Sequence, residues 1–227
     1  MKNICYIVLF SFGITSCSTL QNLLVEPTAL ETITAVKSIL NSSAEKAVST
    51  LKTVQKGEDS LPDELKPVLA TLKTLGLEDQ IGKIEKAVAG ASEVAAAESE
   101  AIIKDAVKEV KFKDAVAIAT GGKDAATNAM KEIMYTTVKK RYSEKLDSEL
   151  NKHDVIKYWP MATSAFNLFS KDKIEGSVSD YVSERAVDAI FLGMAKEEVI
   201  IRGDYKKLGN AVVTKVMDYY TQNKKTS

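Results

Sequence analysis

Residues 124–150 read DAATNAMKEIMYTTVKKRYSEKLDSEL, and this stretch decides the fold class. Its apolar side chains recur at steps of three and four residues, which is typical of a helix with one inner face. That face comprises Met130, Ile133, Met134, Val138, Tyr142 and Leu146. Gly and Pro do not interrupt the stretch, so we predict one long helix from Asp124 to Leu150.

An earlier segment has a similar pattern. A near-heptad stripe, interrupted only at Lys37, consists of Leu30, Ile33, Leu40, Ala44, Ala47, Leu51 and Val54. Such a stripe suits either packing within a bundle or an oligomeric coiled coil, and we favour the bundle because three heptads are few for a coiled coil.

The remaining chain is also helical in pattern, and it contains only 11 Gly and 4 Pro in 227 residues. We expect Pro160 in the first turn of a helix, and Ser179 as the N-cap of a helix whose inner face is Val187, Ile190, Phe191 and Met194. Other helices are predicted at Pro67 to Gly76, Glu78 to Val88, Ala91 to Val110, Lys113 to Thr120 and Leu208 to Tyr220. Alternation with period two is not sustained anywhere, so the fold is predicted to be all-α, a single multi-helix, bundle-like domain.

The N-terminus has the pattern of a targeting segment. Lys2 precedes an apolar run from Ile4 to Ile14, which is typical of a signal peptide and too short to span a bilayer. Ile14-Thr15-Ser16-Cys17 follows and resembles the lipobox of bacterial lipoproteins. The resemblance implies diacylglycerol on the Cys17 sulfur and cleavage before Cys17. The alternative is an ordinary secretory signal that is cut nearby.

These features divide the chain into a signal peptide (1–16), a lipidated tether (17–27), an all-helical domain (28–221) and a frayed tail (222–227). The expected location is the bacterial cell envelope, with the lipid on Cys17 anchoring the protein in the outer membrane.

Cleavage would remove Cys5 and lipidation would consume Cys17, so disulfides and thiol chemistry are excluded. Lys and Arg (31) balance Asp and Glu (31), which argues against nucleic acid as a partner.

Three blocks of sequence resemble one bacterial envelope family. They are Phe112 to Ala115 running into Gly121 to Thr127, Asp180 to Ala186 with Ile190-Phe191, and Glu197-Glu198 with Ile201-Arg202. The resemblance is to the family catalogued as domain of unknown function 4197, over about residues 62–220, and it implies no activity. Ala89-Gly90 stands where an Asn-Arg pair is usual, so any binding role of that pair is missing here. Gly203-Asp204 stands where Asn-Pro is usual.

Two polar positions are candidate sites. The Gly121-Gly122 turn, with Asp124 and Thr127 at the start of the next helix, could hold an anion on backbone N–H groups. We favour a structural interpretation, in which the turn stops one helix and Asp124 caps the next. Glu198 and Arg202 are four residues apart, which favours a helix ion pair, and we expect them to tie the last two helices together.

Other charged positions have weaker claims. Asp180, Glu184 and Asp188 form a carboxylate stripe that could do acid–base chemistry if buried, but a solvated helix face is the favoured interpretation. Lys139-Lys140-Arg141 could face lipid headgroups, and solvent exposure is again favoured. His153 is the single histidine, so neither a triad nor a zinc site is recognisable. We predict no metal and no cofactor.

The leading functional hypothesis is a non-enzymatic envelope lipoprotein whose helical domain binds a protein, a lipid or a small apolar ligand. Its rival is a carboxylate-dependent hydrolase that uses the stripe or Glu197-Glu198. A deep cleft lined by two or more buried carboxylates would favour the hydrolase.

Overall fold

The structure is a computed structural model that describes residues 25–54, 66–151, 155–169, 171 and 173–223. Over these ranges the chain is helical and contains no strand, which confirms the all-α prediction. The helices are α1 (Ala29–Val54), α2 (Lys66–Thr74), α3 (Glu78–Glu109), α4 (Ala115–Thr120), α5 (Ala125–Leu150), α6 (Val155–Phe169), α7 (Val178–Gly203) and α8 (Ala211–Asn223), with a 3₁₀ helix at Tyr205–Leu208.

The core forms between α5 and α7, which are antiparallel and pack against each other. Helix α1 packs beside α7, and α3 packs beside α5. Helix α1 contacts α3, α4, α7 and α8, whereas α2 and α6 pack together against α3. The largest fully buried side chains are Tyr142, Phe191, Ile39, Leu40, Leu72, Ile103, Met130, Leu146, Leu150 and Ile190. Among the described residues, none of the helices is both long enough and apolar enough to cross a membrane.

The inner faces predicted for α5 and α7 are confirmed with one exception. The prediction for Ile133 is wrong, since its side chain is 46% exposed. The other residues predicted for both faces are buried. In α1 the predicted stripe is only partly right, because Leu30 is 73% exposed and Val36 is buried instead. Helix α1 has neighbours on several sides, so it buries two adjacent columns of side chains rather than one narrow seam.

Several predicted helix boundaries are wrong. Helix α3 runs without a break through Ala89-Gly90, because one interior Gly weakens a helix by only about 1 kcal/mol. Pro160 lies inside α6 rather than in its first turn, and burial of the neighbouring Trp159 helps to hold the helix together there.

The starts of the last two helices also differ from prediction. Helix α7 is capped by Ser177, not Ser179, through a capping box in which Ser177 and Asp180 satisfy each other's backbone N–H groups. Before α8, the 3₁₀ helix ends at Gly209, and the side chain of Asn210 accepts hydrogen bonds from the N–H groups of Val212 and Val213. Helix α8 extends into the predicted tail as far as Asn223.

Some sequence predictions concern parts of the chain outside the described residues. These are the signal peptide, Cys17 with most of the tether, His153 and residues 224–227.

Candidate functional site

Glu198, on α7, has a fully buried side chain that bonds to the start of α5. Its carboxylate accepts from the backbone N–H of Ala126 at 3.0 Å and of Thr127 at 2.7 Å, and from the Thr127 hydroxyl at 2.7 Å. The fourth donor is Nε of Arg202, at 2.7 Å. Glu198 therefore supplies negative charge at the N-terminus of α5, where the helix dipole favours it.

Arg202 extends this network to the C-terminus of α4. Its side chain is 6% exposed, and its Nη1 and Nη2 atoms donate to the carbonyl oxygens of Ala119 at 2.9 Å and Ile118 at 3.1 Å. These hydrogen bonds join α7 to the two helix ends at the α4–α5 turn, so the prediction that the pair ties the last two helices together is wrong. Each member of the pair thus holds one helix end. The positive charge of Arg202 lies at the C-terminus of α4, and the negative charge of Glu198 lies at the N-terminus of α5.

The Gly121-Gly122 turn connects the two helix ends that this ion pair holds. A Cβ atom on Gly121 would lie 2.8 Å from the Ala117 carbonyl oxygen and 3.0 Å from the Ala125 Cβ, so a larger residue does not fit without movement. The N–H groups that an anion would need are those of Ala126 and Thr127, and Glu198 already occupies both. The carboxylate bonded to the first turn of α5 thus comes from Glu198. Asp124, the predicted cap, lies directly before Ala125, and its backbone carbonyl accepts from the N–H of Asn128 at 3.0 Å.

A depression of about 320 Å³ lies beside this turn and includes Gly121, Gly122, Lys123, Arg202 and Tyr220 in its lining. The charge of Arg202 is balanced there by Glu198. The predicted polar residues are therefore brought together, but as a structural joint whose hydrogen-bonding groups are largely engaged within the protein.

The carboxylate stripe on α7 is exposed at all three positions, which agrees with the interpretation as a solvated helix face. Glu184 pairs with Lys139, and Asp188 pairs with Lys131 at 2.8 Å, so the stripe forms part of the α5–α7 interface. Hydrogen bonds from Ser177 keep the pKa of Asp180 below its usual value.

The basic cluster on α5 is also paired with carboxylates. Arg141 contacts Glu109 at 2.7 Å, Lys140 approaches Glu144 at 3.9 Å, and Lys139 is the partner of Glu184. The side chains of Lys139 and Arg141 are only 28% and 31% exposed, whereas Lys140 is 78% exposed. The cluster is thus tied into the helix surface, and only Lys140 extends freely toward solvent.

A second depression was not predicted from the sequence. We call it the α6–α7 groove; it measures about 280 Å³ and its lining includes Asp147, Ile156, Trp159, Pro160, Ile174 and Val178. The single tryptophan of the chain, next to a proline, was the available signal for this groove. It lies roughly 30 Å along α5 from the Glu198 joint, given the 20 residues between Thr127 and Asp147.

Trp159 is fixed beside the groove by burial, a hydrogen bond and a ring contact. It is 3% exposed, its Nε1 donates to the Gly176 carbonyl oxygen at 3.2 Å, and its ring centre lies 5.5 Å from that of Tyr181. Asp147 accepts a hydrogen bond from the hydroxyl of Ser179, which is therefore engaged across the α5–α7 interface. The groove thus combines an apolar wall with a carboxylate at its edge.

Within the described residues, no group of three or more His, Cys, Asp or Glu side chains is arranged to hold a metal ion.

Comparison with known families identifies the family to which the chain is similar. A family model described as a protein of unknown function (DUF4197) matches residues 26–218, from just before α1 into α8. The match reaches further toward the N-terminus than the resemblance seen at about residues 62–220. No curated protein and no solved structure matches the chain.

Proposed function

Since the chain belongs to the DUF4197 family of proteins of unknown function, we propose that it is a lipid-anchored cell-envelope protein whose helical domain binds a small apolar ligand without transforming it. The observation that carries the binding proposal is the α6–α7 groove. Its wall includes Ile156, Trp159, Pro160, Ile174 and Val178. Such largely apolar concavities with a few polar groups are typical of ligand sites, and a volume near the lower end of their usual range suits a small molecule.

The carboxylates favour binding over hydrolysis. A carboxylate-dependent hydrolase needs two acidic groups that are perturbed by burial and free to reach the substrate. The stripe is exposed and Glu198 is engaged by four hydrogen bonds, while Glu197 is 24% exposed and lies 3.8 Å from Lys46. Among the described residues that line the α6–α7 groove, Asp147 alone carries a carboxylate.

The membrane is the partner proposed for the N-terminus. The Ile14-Thr15-Ser16-Cys17 motif supports lipidation of Cys17, and the outer membrane of the envelope is the proposed location. A lipoprotein cysteine carries at least two acyl chains, and two chains anchor a protein stably where one is marginal. The groove-bearing domain would then work close to a lipid surface.

The anchor can be tested with a matched pair of cysteine variants. We expect the wild-type protein to incorporate labelled palmitate and to remain with membranes in high salt. Cys17→Ser should lose the label, because the accepting sulfur is gone, and should either retain its signal peptide or become soluble. Cys5→Ser, within the predicted signal peptide, should behave as wild type. A wild-type protein that takes up no label and washes off with salt would overturn the anchor.

A further inference from the structure

The edge of the α6–α7 groove is negatively charged. Asp147 lies in the lining, and none of the described lining residues is a Lys or an Arg. The N-terminus of α7 also borders the groove, and a helix N-terminus would ordinarily attract an anion. Asp180 already occupies that position, since its carboxylate accepts from the N–H and the hydroxyl of Ser177. An anionic ligand would therefore meet two carboxylates and no compensating cation from the described residues of the lining.

The backbone of α6 next to the groove has one carbonyl without its usual helical donor. Pro160 has no N–H, so it cannot donate to the Ile156 carbonyl one turn earlier, and both residues line the groove. The hydroxyl of Thr163 donates to the carbonyls of Trp159 and Pro160, not to that of Ile156. The donor of Trp159 is likewise occupied, by the Gly176 carbonyl. The carboxylate of Asp147 in the groove lining thus suits a ligand that brings its own hydrogen-bond donor.

We propose that the ligand of the α6–α7 groove is a small amphiphilic amine, with its apolar part on Ile156, Ile174 and Val178 and its ammonium group at Asp147. This inference rests on the proposed binding function and specifies its ligand class. An ammonium satisfies both requirements of the groove, because it donates up to three hydrogen bonds and carries the charge opposite to the carboxylate.

The emission of Trp159 offers a direct test, since it is the single tryptophan of the chain. The full-length protein in phosphatidylcholine vesicles is titrated at pH 7 with hexylamine, hexan-1-ol and hexanoate, which share one alkyl chain and differ in charge. We expect hexylamine to bind about tenfold more tightly than hexan-1-ol, as expected for a hydrogen bond to a charged group, and hexanoate to bind most weakly.

Asp147→Asn should remove the preference for hexylamine and leave hexan-1-ol binding unchanged. The Asn oxygen can still accept from Ser179, so the local structure should be kept, and circular dichroism would verify this. Asp188→Asn, an exposed carboxylate elsewhere on the α5–α7 surface, is the matched control and should keep the preference.

The three probes separate the possible failures. If hexan-1-ol binds as tightly as hexylamine, or hexanoate binds more tightly than either, the amine proposal is overturned while apolar binding stands. If none of the three changes the Trp159 emission, both the amine proposal and the apolar ligand of the proposed function are overturned. The wild-type ranking decides between these outcomes even if Asp147→Asn does not fold.

Discussion

Glu198 is the side chain on which several parts of the molecule depend. It is fully buried and accepts hydrogen bonds from α5 and from Arg202, which in turn holds the end of α4. A buried ion pair is not by itself strongly stabilising, but removing one partner leaves the other charge buried without compensation. The Glu198–Arg202 pair therefore matters most for the geometry of the α4–α5 turn.

We expect Glu198→Gln to lower the free energy of unfolding by about 3 to 5 kcal/mol. Arg202 loses its counter-charge, and an NH₂ group replaces one of the two oxygens that accept hydrogen bonds. Glu197→Gln is the matched control, since this neighbour is partly exposed and its contact with Lys46 is long. Its effect should be below about 1 kcal/mol. Urea unfolding of both variants measures the difference, and equal effects would contradict the structural role of Glu198.

At the scale of elements, the connection from α7 to α8 uses two glycines in different ways. Gly209 ends the 3₁₀ helix with a φ of +65°, a conformation that residues with a Cβ rarely adopt. Gly203 is the last residue of α7 and has no such requirement. An added Cβ would meet no atom within 4 Å at either position, so the backbone alone distinguishes them.

Alanine substitutions at these two glycines should therefore have opposite effects. Gly209→Ala should destabilise the protein by about 1 kcal/mol, because alanine is strained at positive φ. Gly203→Ala should stabilise it by about 0.5 kcal/mol, since alanine loses less backbone entropy on entering a helix. Thermal unfolding reports both changes. A stabilising Gly209→Ala would show that the left-handed turn is not kept in solution.

At the scale of the whole molecule, an ion pair joins the first described helix to the last. Glu31 on α1 and Lys215 on α8 are 184 residues apart and meet at 2.7 Å. The hydrogen bond from Lys215, together with those from Thr28, lowers the pKa of Glu31 to about 2. This contact therefore links two helices that are far apart in the sequence, and its formation closes a long loop of chain.

This pair predicts a pH dependence of folding. The pKa of Glu31 is lower in the folded state than its usual value of 4.5. Its contribution to the free energy of unfolding is therefore complete above about pH 4.5 and is lost as the pH falls toward 2. Glu31→Gln should thus make unfolding less sensitive to acid in that window. Lys215→Gln should have the same but smaller effect, because the Thr28 bonds remain. Unfolding curves at several pH values would test this, and unchanged acid sensitivity in Glu31→Gln would contradict it.

The helical class and the inner faces of α5 and α7 follow from the sequence alone. Met130, Val138 and Phe191 are buried as their spacing predicts, because helical periodicity is a local property that any single segment reveals. The same local reasoning indicated the turn at Gly121-Gly122 and the closeness of Glu198 to Arg202, which lie one helical turn apart, but not that the pair holds this turn.

Only the tertiary structure decided which partners these residues have. Glu198 reaches Ala126 across 72 residues of chain, α1 is buried on a wide face because helices surround it, and Asp147 meets Trp159 and Val178 in one groove. Neither propensity nor periodicity carries this information, since each depends on side chains that lie close in the sequence. Long-range contacts depend instead on how whole helices pack, which is decided by the burial of all their faces together.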